Sequence, residues 1–441
     1  KRAVTQILSP GAHFDERMLH AERHNYLAAV RPHGSAFGLA LIDLTTGDFR
    51  VTELNDGTAL LAELERARPA EVVLPGEAAE LRALVQPMVS ALNDYDDWVF
   101  APETAQFTLR EHFGVASLDG LGLKDRPAAV GAAGAVLHYL AQHLRRDVAH
   151  LTRLVVYQST DYLVLDNTTL RNLEILEPLH RDAPKPGSLF GALNRTVTPM
   201  GARRLRDWLS QPLADLASIH QRQQSVRAWI EQPTALEAFR GLLATVRDLE
   251  RTVTRLSVGT GNARDLQALR LALAQLPGLR EQLRAVAAHP AVDSASPGPW
   301  LRELPKPEAE TPDSARASLL TALSGQLREL PDLVATISQA IVDEPPLALK
   351  EGGLIKAGFD AALDELRQAG SEGKAWIAQL QQDEVQRTGI ASLKIRFNSV
   401  FGYYIEVTRS NLDKVPPHYV RKQTVANGER FITPDLKEME A

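Results

Sequence analysis

Leu393-Lys-Ile-Arg-Phe-Asn-Ser-Val-Phe-Gly-Tyr-Tyr-Ile-Glu-Val407 is where the pattern of the chain changes. Leu393, Ile395 and Phe397 alternate with Lys394, Arg396 and Asn398. After Gly402, Tyr403, Ile405 and Val407 alternate with Tyr404, Glu406 and Thr408. A period of two with a glycine at the break predicts a strand pair or a bent strand, apolar on one face and polar on the other.

Upstream of Leu393 the period is that of a helix. Phe359 to Arg387 carries Leu363, Leu366, Trp376, Ile377 and Leu380 at helical spacing, interrupted by Gly370 and Gly373. A helix so polar over much of its surface reads as a strut rather than a core element. Further back, Leu205, Trp208 and Leu209 fall at i, i+3, i+4, and Leu266, Leu269, Leu273 and Leu276 fall on one face. His289 to Pro312 is rich in Pro, Ser and Ala and reads as a long loop. Asp166-Asn-Thr-Thr169 supplies N-cap chemistry for a helix starting near Leu170.

The first ~150 residues mix both periods, as in an α/β domain. Phe37 to Thr45 is strand-like, Thr46-Gly47 is a turn signal, and Asp48 to Leu54 alternates as the return strand of a hairpin. A helix over Ala59 to Arg68, a buried strand over Glu71 to Leu74, and a closing helix over Ala128 to Leu144 follow. Leu154 to Tyr157 and Tyr162 to Leu165 are two more strand-like runs. No short internal repeat is visible.

Composition sets bounds on function. The 441 residues suffice for about three domains at ~150 residues each. With 44% hydrophobic and 24% charged residues the chain can bury a sizeable core. It contains no cysteine, so disulfides and thiolate metal sites are excluded, which fits a reducing cytoplasm. No apolar run approaches the ~20 residues of a membrane-spanning helix. The chain begins at Lys1 rather than Met and stops just after the charged run at Asp435, so a piece of a longer protein is expected. The net charge of −6 argues against a nucleic-acid binder, but its distribution is uneven. Lys394 to Arg430 holds seven basic residues against three acidic ones, Glu406, Asp413 and Glu429.

Four patterns could carry chemistry. His20 and His24 stand at i, i+4 with Glu22 between them, either a zinc pair or two histidines on an exposed helix face; the zincin order has its Glu directly after the first His. His138 and His143, five apart, share no helical face. No G-x-x-x-x-G-K-[ST] run occurs, and Gly259-Thr-Gly-Asn262 reads as a turn between helices. Asp43, before the hairpin turn, is either a metal-binding carboxylate of a nuclease or a turn cap; Asp94, Asp96, Asp97 and Asp161 are partners by type only. Arg421-Lys-Gln-Thr424 and Asn427-Gly-Glu-Arg430 flank a turn. Their cations either hold phosphate oxygens or are ordinary solvated charges.

Several runs resemble the MutS family of DNA mismatch repair proteins. Leu393 to Val407 resembles the entry into the clamp of that family, and Gln423 to Glu440 the exit. Asn167 to Glu174, Leu193 to Gly201, Trp208 to Leu213, Arg247 to Arg251 and Arg264 to Leu266 resemble its core, and Ile7 to Gly11 with Asp43 to Gly47 its connector. The resemblance runs in collinear order over nearly the whole chain. It implies an RNase H-like α/β connector over 1–152 without nuclease activity, an all-α core and lever over 153–392, and an incomplete β-rich clamp over 393–441. It implies that the domain reading mismatches precedes Lys1 and that the ATPase, with its ATP and Mg²⁺, follows Ala441. It further implies double-stranded DNA as a partner, MutL at the connector, and a homodimer of the intact protein. A DNA-backbone role is thereby assigned to Arg421, Lys422, Asn427, Arg430, Lys394 and Arg396. The alternatives are a metal-dependent nuclease using Asp43 and a helical scaffold that binds no nucleic acid.

Overall fold

A computed structural model of the chain describes residues 7–158, 162–163, 165–180, 187–288, 312–398 and 402–440. Two compact units divide between Leu354 and Ile355. The first unit opens with a mixed sheet of β1 (Leu27–His33), β2 (Ala36–Asp43), β3 (Asp48–Leu54), β4 (Glu71–Pro75), β5 (Leu92–Tyr95) and β6 (Val155–Val156). Its order is β5-β4-β1-β2-β3-β6. β1, β2 and β3 are antiparallel neighbours, whereas β4, β5 and β6 each join in parallel.

Alternation along the strands sorts side chains between two layers, as a period of two requires. Leu27, Ala29, Ala40 and Ile42 pack on one side with α3 (Pro102–Phe113) and α4 (Pro127–His138). Ala28, Val30, Leu39 and Leu41 pack on the other with α1 (Gly57–Ala67) and α2 (Ala79–Val85). The α/β expectation is met. α1 begins where the Asp56 side chain accepts from the Ala59 amide, and ends at Arg68, whose N–H still donates to the Leu64 carbonyl and whose left-handed φ of 45° turns the chain out of the helix. α4 lies close against β2: a β-carbon on Gly38 would stand 1.9 Å from the Ala128 carbonyl oxygen. Only glycine admits that approach.

The helix expected to run on to Leu144 changes character at Tyr139. Residues Tyr139–His143 form a π-turn. Its wider period brings the five-apart histidines to one tyrosine, with Tyr95 5.8 Å from the His138 ring and 5.5 Å from the His143 ring. The sequence reading assumed 3.6 residues per turn and placed them apart.

The rest of the first unit is mainly helical. It comprises α5 (Asn167–Asn172), α6 (Leu189–Leu193), α7 (Pro199–Ser210), α8 (Leu216–Ile230), α9 (Pro233–Ala244), α10 (Leu249–Ser257), α11 (Ala263–Ala274), α12 (Leu276–Ala288), α13 (Pro312–Gln326) and α14 (Pro331–Ala340). Asp166 caps α5 through the Thr169 amide, as expected. Gly259 to Asn262 is the predicted turn, and Asn262 and Asp265 form a reciprocal capping box at the start of α11. The leucine face expected on α11 is only half-buried. The deeper line is Ala263, Ala268 and Ala272, with Gln267 donating to the carbonyls of Ile341 and Val342 at 3.1 and 2.8 Å. Short side chains permit the close approach, and leucines flank it. Of the run Tyr162 to Leu165, Tyr162 makes an isolated bridge to Leu213 and residue 164 lies outside the described residues. So do Asp161 and residues 289–311 of the expected Pro-rich loop.

In the second unit, α15 (Ala361–Thr388) runs unbroken through Gly370 and Gly373. It leads to an antiparallel sheet of β7 (Lys394–Asn398), β8 (Gly402–Thr408), β9 (Val420–Val425) and β10 (Gly428–Ile432), ordered β7-β8-β10-β9, and then to α16 (Pro434–Glu440). Ile390, Leu393, Ile405, Val407, Tyr419, Phe431 and Leu436 form its core, with Trp376, Leu380 and Val385 of α15 packed against them. The strut reading of α15 agrees with its burial, since Leu366 is exposed and only Glu384 is fully enclosed. Glu384 accepts from the Tyr419 hydroxyl and from Arg387.

Candidate nucleic-acid interface

The strand register decides which of the predicted cations share a surface. Lys394 pairs with Glu406, Glu406 with Arg430, and Arg430 with Gln423, so one row crosses all four strands. Arg396 stands two residues along β7 on that same face, opposite Tyr404. Ile395, Ile405 and Phe431 point the other way, into the core. Three cations, Lys394, Arg396 and Arg430, thus share this face with one anion, Glu406. The Arg430 guanidinium lies 4.6 Å from the centre of the Tyr404 ring, 3.3 Å from the Glu406 carboxylate and 2.8 Å from the Gln423 amide oxygen. Packing on the aromatic ring and bonding to both neighbours hold it in one place.

The other predicted residues lie elsewhere. The ladder between β9 and β10 slips between Arg430 and Phe431, leaving Lys422 as the extra residue of a bulge. The slip puts Arg421 opposite Phe431, on the core side of the edge strand, where it pairs with Glu429 at 3.2 Å. Asn427 is exposed in the turn, and its carbonyl accepts from the Arg409 amide. A β-carbon on the next residue, Gly428, would stand 2.2 Å from the Val407 carbonyl oxygen. The segment therefore splits into a cationic face with Lys394, Arg396 and Arg430, and an edge with Arg421, Lys422 and Asn427. The apolar alternation also ends before Phe397, which is 62% exposed and meets Tyr403 edge-on at 5.1 Å.

The remaining sequence candidates belong to the first unit. His20 and His24 do not lie on a helix: the chain turns repeatedly between Glu16 and Arg23. His20 is exposed, whereas His24 keeps only 12% of its side-chain surface and lies 3.0 Å from Asp43. Asp43 is itself fully buried. Its other contacts are the Asn25 amide at 3.2 Å, the Thr45 amide at 2.9 Å and the Thr45 hydroxyl at 2.7 Å. Burial works against its ionisation, and the bonds from His24 and Thr45 outweigh it, holding the carboxyl down at about 2. A carboxylate so occupied is a turn cap and an ion-pair partner. Asp94 lies on β5, three strands from β2, and pairs with Arg82. Among the described residues no group of three His, Cys, Asp or Glu is placed to hold a metal ion.

Sequence reasoning missed a polar network linking the sheet to the helices of this unit. Arg50 on β3 bonds Asp48 and, on α7, Asp207, each at 2.7 Å. Arg203 on α7, 2% exposed, takes both oxygens of Asp248 at 2.7 Å and Glu250 at 2.6 Å, and donates to the Ala21 carbonyl at 2.8 Å. Arg251 donates to the carbonyls of His20 and Arg23. Its members come from β3, α7 and the start of α10, far apart along the chain, and a single sequence carries no signal that pairs them.

Comparison with known proteins identifies two successive stretches of the chain. The profile described as MutS domain II matches residues 25–152, and that described as MutS domain III matches residues 168–425. The DNA mismatch repair protein MutS of Symbiobacterium thermophilum is 43% identical over 447 residues, covering 100% of this chain and 48% of that protein. The protein of the same name from Myxococcus xanthus is 43% identical over 446 residues, covering 100% of this chain and 46% of its own length. The one from Methanosarcina barkeri is 37% identical over 457 residues, again with 100% of this chain and 48% of the relative. The chain thus spans about half the length of these relatives. Because the second match alone covers more than half of the chain and these relatives are 37% to 43% identical over all of it, this chain belongs to the MutS family.

Proposed function

We propose that this chain is the connector, lever and clamp portion of a DNA mismatch repair protein, and that the clamp grips duplex DNA through its phosphates without reading sequence. The reading rests on the row of Lys394, Glu406, Arg430 and Gln423 with Arg396 beside it, which gives the solvent face of an otherwise acidic chain a local cationic excess. Phosphate contacts position a protein on DNA, whereas base edges carry the sequence information. In this proposal residues 1–152 are the connector, 153–392 the core and lever, and 393–441 the clamp. In the longer protein the lever couples mismatch sensing and ATP state to clamp closure, the connector also meets MutL, and two copies pair. This sequence holds no P-loop and offers no fit for hydrolysis of ATP with Mg²⁺, so that step is assigned to the rest of the longer protein. Its setting is the cytoplasm; no helix among the described residues is long and apolar enough to cross a membrane.

Filter binding of the longer protein to matched and mismatched duplexes tests the grip. Lys394→Glu with Arg396→Glu is expected to weaken both alike. The salt dependence should become shallower by about 0.9 in log–log slope for each phosphate that is no longer neutralised. A weakening confined to the mismatched duplex would refute a sequence-blind grip. Retention of no DNA by the unaltered protein at low salt would favour a helical scaffold.

A further inference from the structure

A cleft of about 420 Å³ lies between the β2–β3 turn, β3 and helix α7. Five arginines line it (Arg50, Arg153, Arg203, Arg204 and Arg222) against the carboxylates of Asp48, Asp207 and Glu250. Those carboxylates are already engaged: Asp48 and Asp207 by Arg50, Glu250 by Arg203. Among the described residues, Arg153, Arg204 and Arg222 have no carboxylate within ion-pair distance. Arg222 is held in position, its guanidinium 3.9 Å above the Trp208 ring. Burial, and then the like charge of Arg204, pull its pKa below the ordinary value. The cleft therefore concentrates positive charge that the chain leaves uncompensated, and one of its cations is pre-positioned.

We propose that this cleft binds a small phosphate-bearing anion, held by Arg153, Arg204 and Arg222. Guanidinium groups match phosphate oxygens with two parallel N–H donors each, so three of them suit a di- or polyphosphate better than a single carboxylate. The volume falls in the range of small-molecule sites, roughly 300–1,000 Å³. The phosphates can belong to inorganic pyrophosphate or to a nucleotide, the chemistry at the arginines being the same. Binding here is independent of any DNA grip by the four-stranded sheet.

Calorimetric titration of the 441-residue chain at low ionic strength, with pyrophosphate and separately with ADP, tests the site. Saturable binding is expected, about tenfold or more weaker in Arg204→Gln with Arg222→Gln and unchanged in Lys394→Glu with Arg396→Glu. Tighter binding of ADP than of pyrophosphate would identify a nucleotide; equal affinity would identify the phosphates alone as the recognised group. Should the double variant melt below the parent chain, the exposed Arg153→Gln is read instead, with several-fold weaker binding expected. Absence of saturable binding by both probes overturns the proposal, as does an affinity that none of the arginine substitutions changes.

Discussion

His24 Nδ1 lies 3.0 Å from the Asp43 carboxylate, in a position where Asp43 has no exposed surface and His24 keeps about an eighth of its own. Burial disfavours the charged imidazole, but the hydrogen bond and charge of Asp43, with Asp207 and Asp48 beyond, raise its pKa above the ordinary value. The pair ties the start of β1 to the end of β2, where the hairpin begins.

The pH dependence of stability follows from these two shifts. His24, raised on folding, contributes stability fully below its unfolded pKa of about 6.5, and the contribution is lost as pH rises through the folded value. Asp43, lowered to about 2, contributes above its unfolded pKa of about 3.8 and loses that contribution as pH falls toward 2. Guanidinium unfolding of the chain between pH 6 and 9 should show a decline that is absent in His24→Gln. Identical slopes in the two proteins would show that His24 titrates alike in both states.

Asp43→Ala should destabilise the chain by about 3–5 kcal/mol, because it leaves His24 buried beside Asp207 without its main partner. Incubation of the unaltered chain with Mg²⁺ or Mn²⁺ and supercoiled DNA should give no nicking. Metal-dependent nicking abolished by Asp43→Ala in a protein of unchanged stability would restore the nuclease reading.

Within the four-stranded sheet the cations should rank by what already holds them. Arg421 and Arg430 are bonded to Glu429 and Glu406, so a phosphate must compete for them. Lys394, Arg396 and Lys422 have no such partner among the described residues. Lys394→Glu with Arg396→Glu should therefore weaken DNA retention more than Arg421→Glu alone, and should reduce the salt slope by about 1.8 for two phosphates. The reverse order, measured by filter binding over a salt series, would place the grip at the β9 edge.

Gly38→Ala places a methyl group 1.9 Å from a backbone oxygen of α4, an atom that cannot swing aside as a side chain can. A loss of about 1–3 kcal/mol or more is expected from chemical unfolding, with α4 displaced from β2. Stability within about 0.5 kcal/mol of the parent would mean that the helix shifts freely.

The sequence was most legible where one period governed. The hairpin at Thr46-Gly47, the cap at Asp166, the turn at Gly259 and the change of period at Leu393 are local signals, and each matches the structure. It was least legible where one residue shifts the phase. The π-turn at Tyr139 aligned two histidines that an α-helix would part. The bulge at Lys422 sent Arg421 and Arg430 to opposite sides of one sheet, although both flank the same turn. The buried partnership of His24 was invisible because Asp43 and Asp207 reach it from different elements, one of them far along the chain.

The bulge at Lys422 has a bearing on solubility as well. β9 is an edge strand with exposed residues along nearly its whole length, the kind of border that recruits strands from other molecules. An irregular ladder carrying adjacent positive charges is a poor template for such stacking. The positive charges of Arg421 and Lys422 would hold one copy of this edge away from the next.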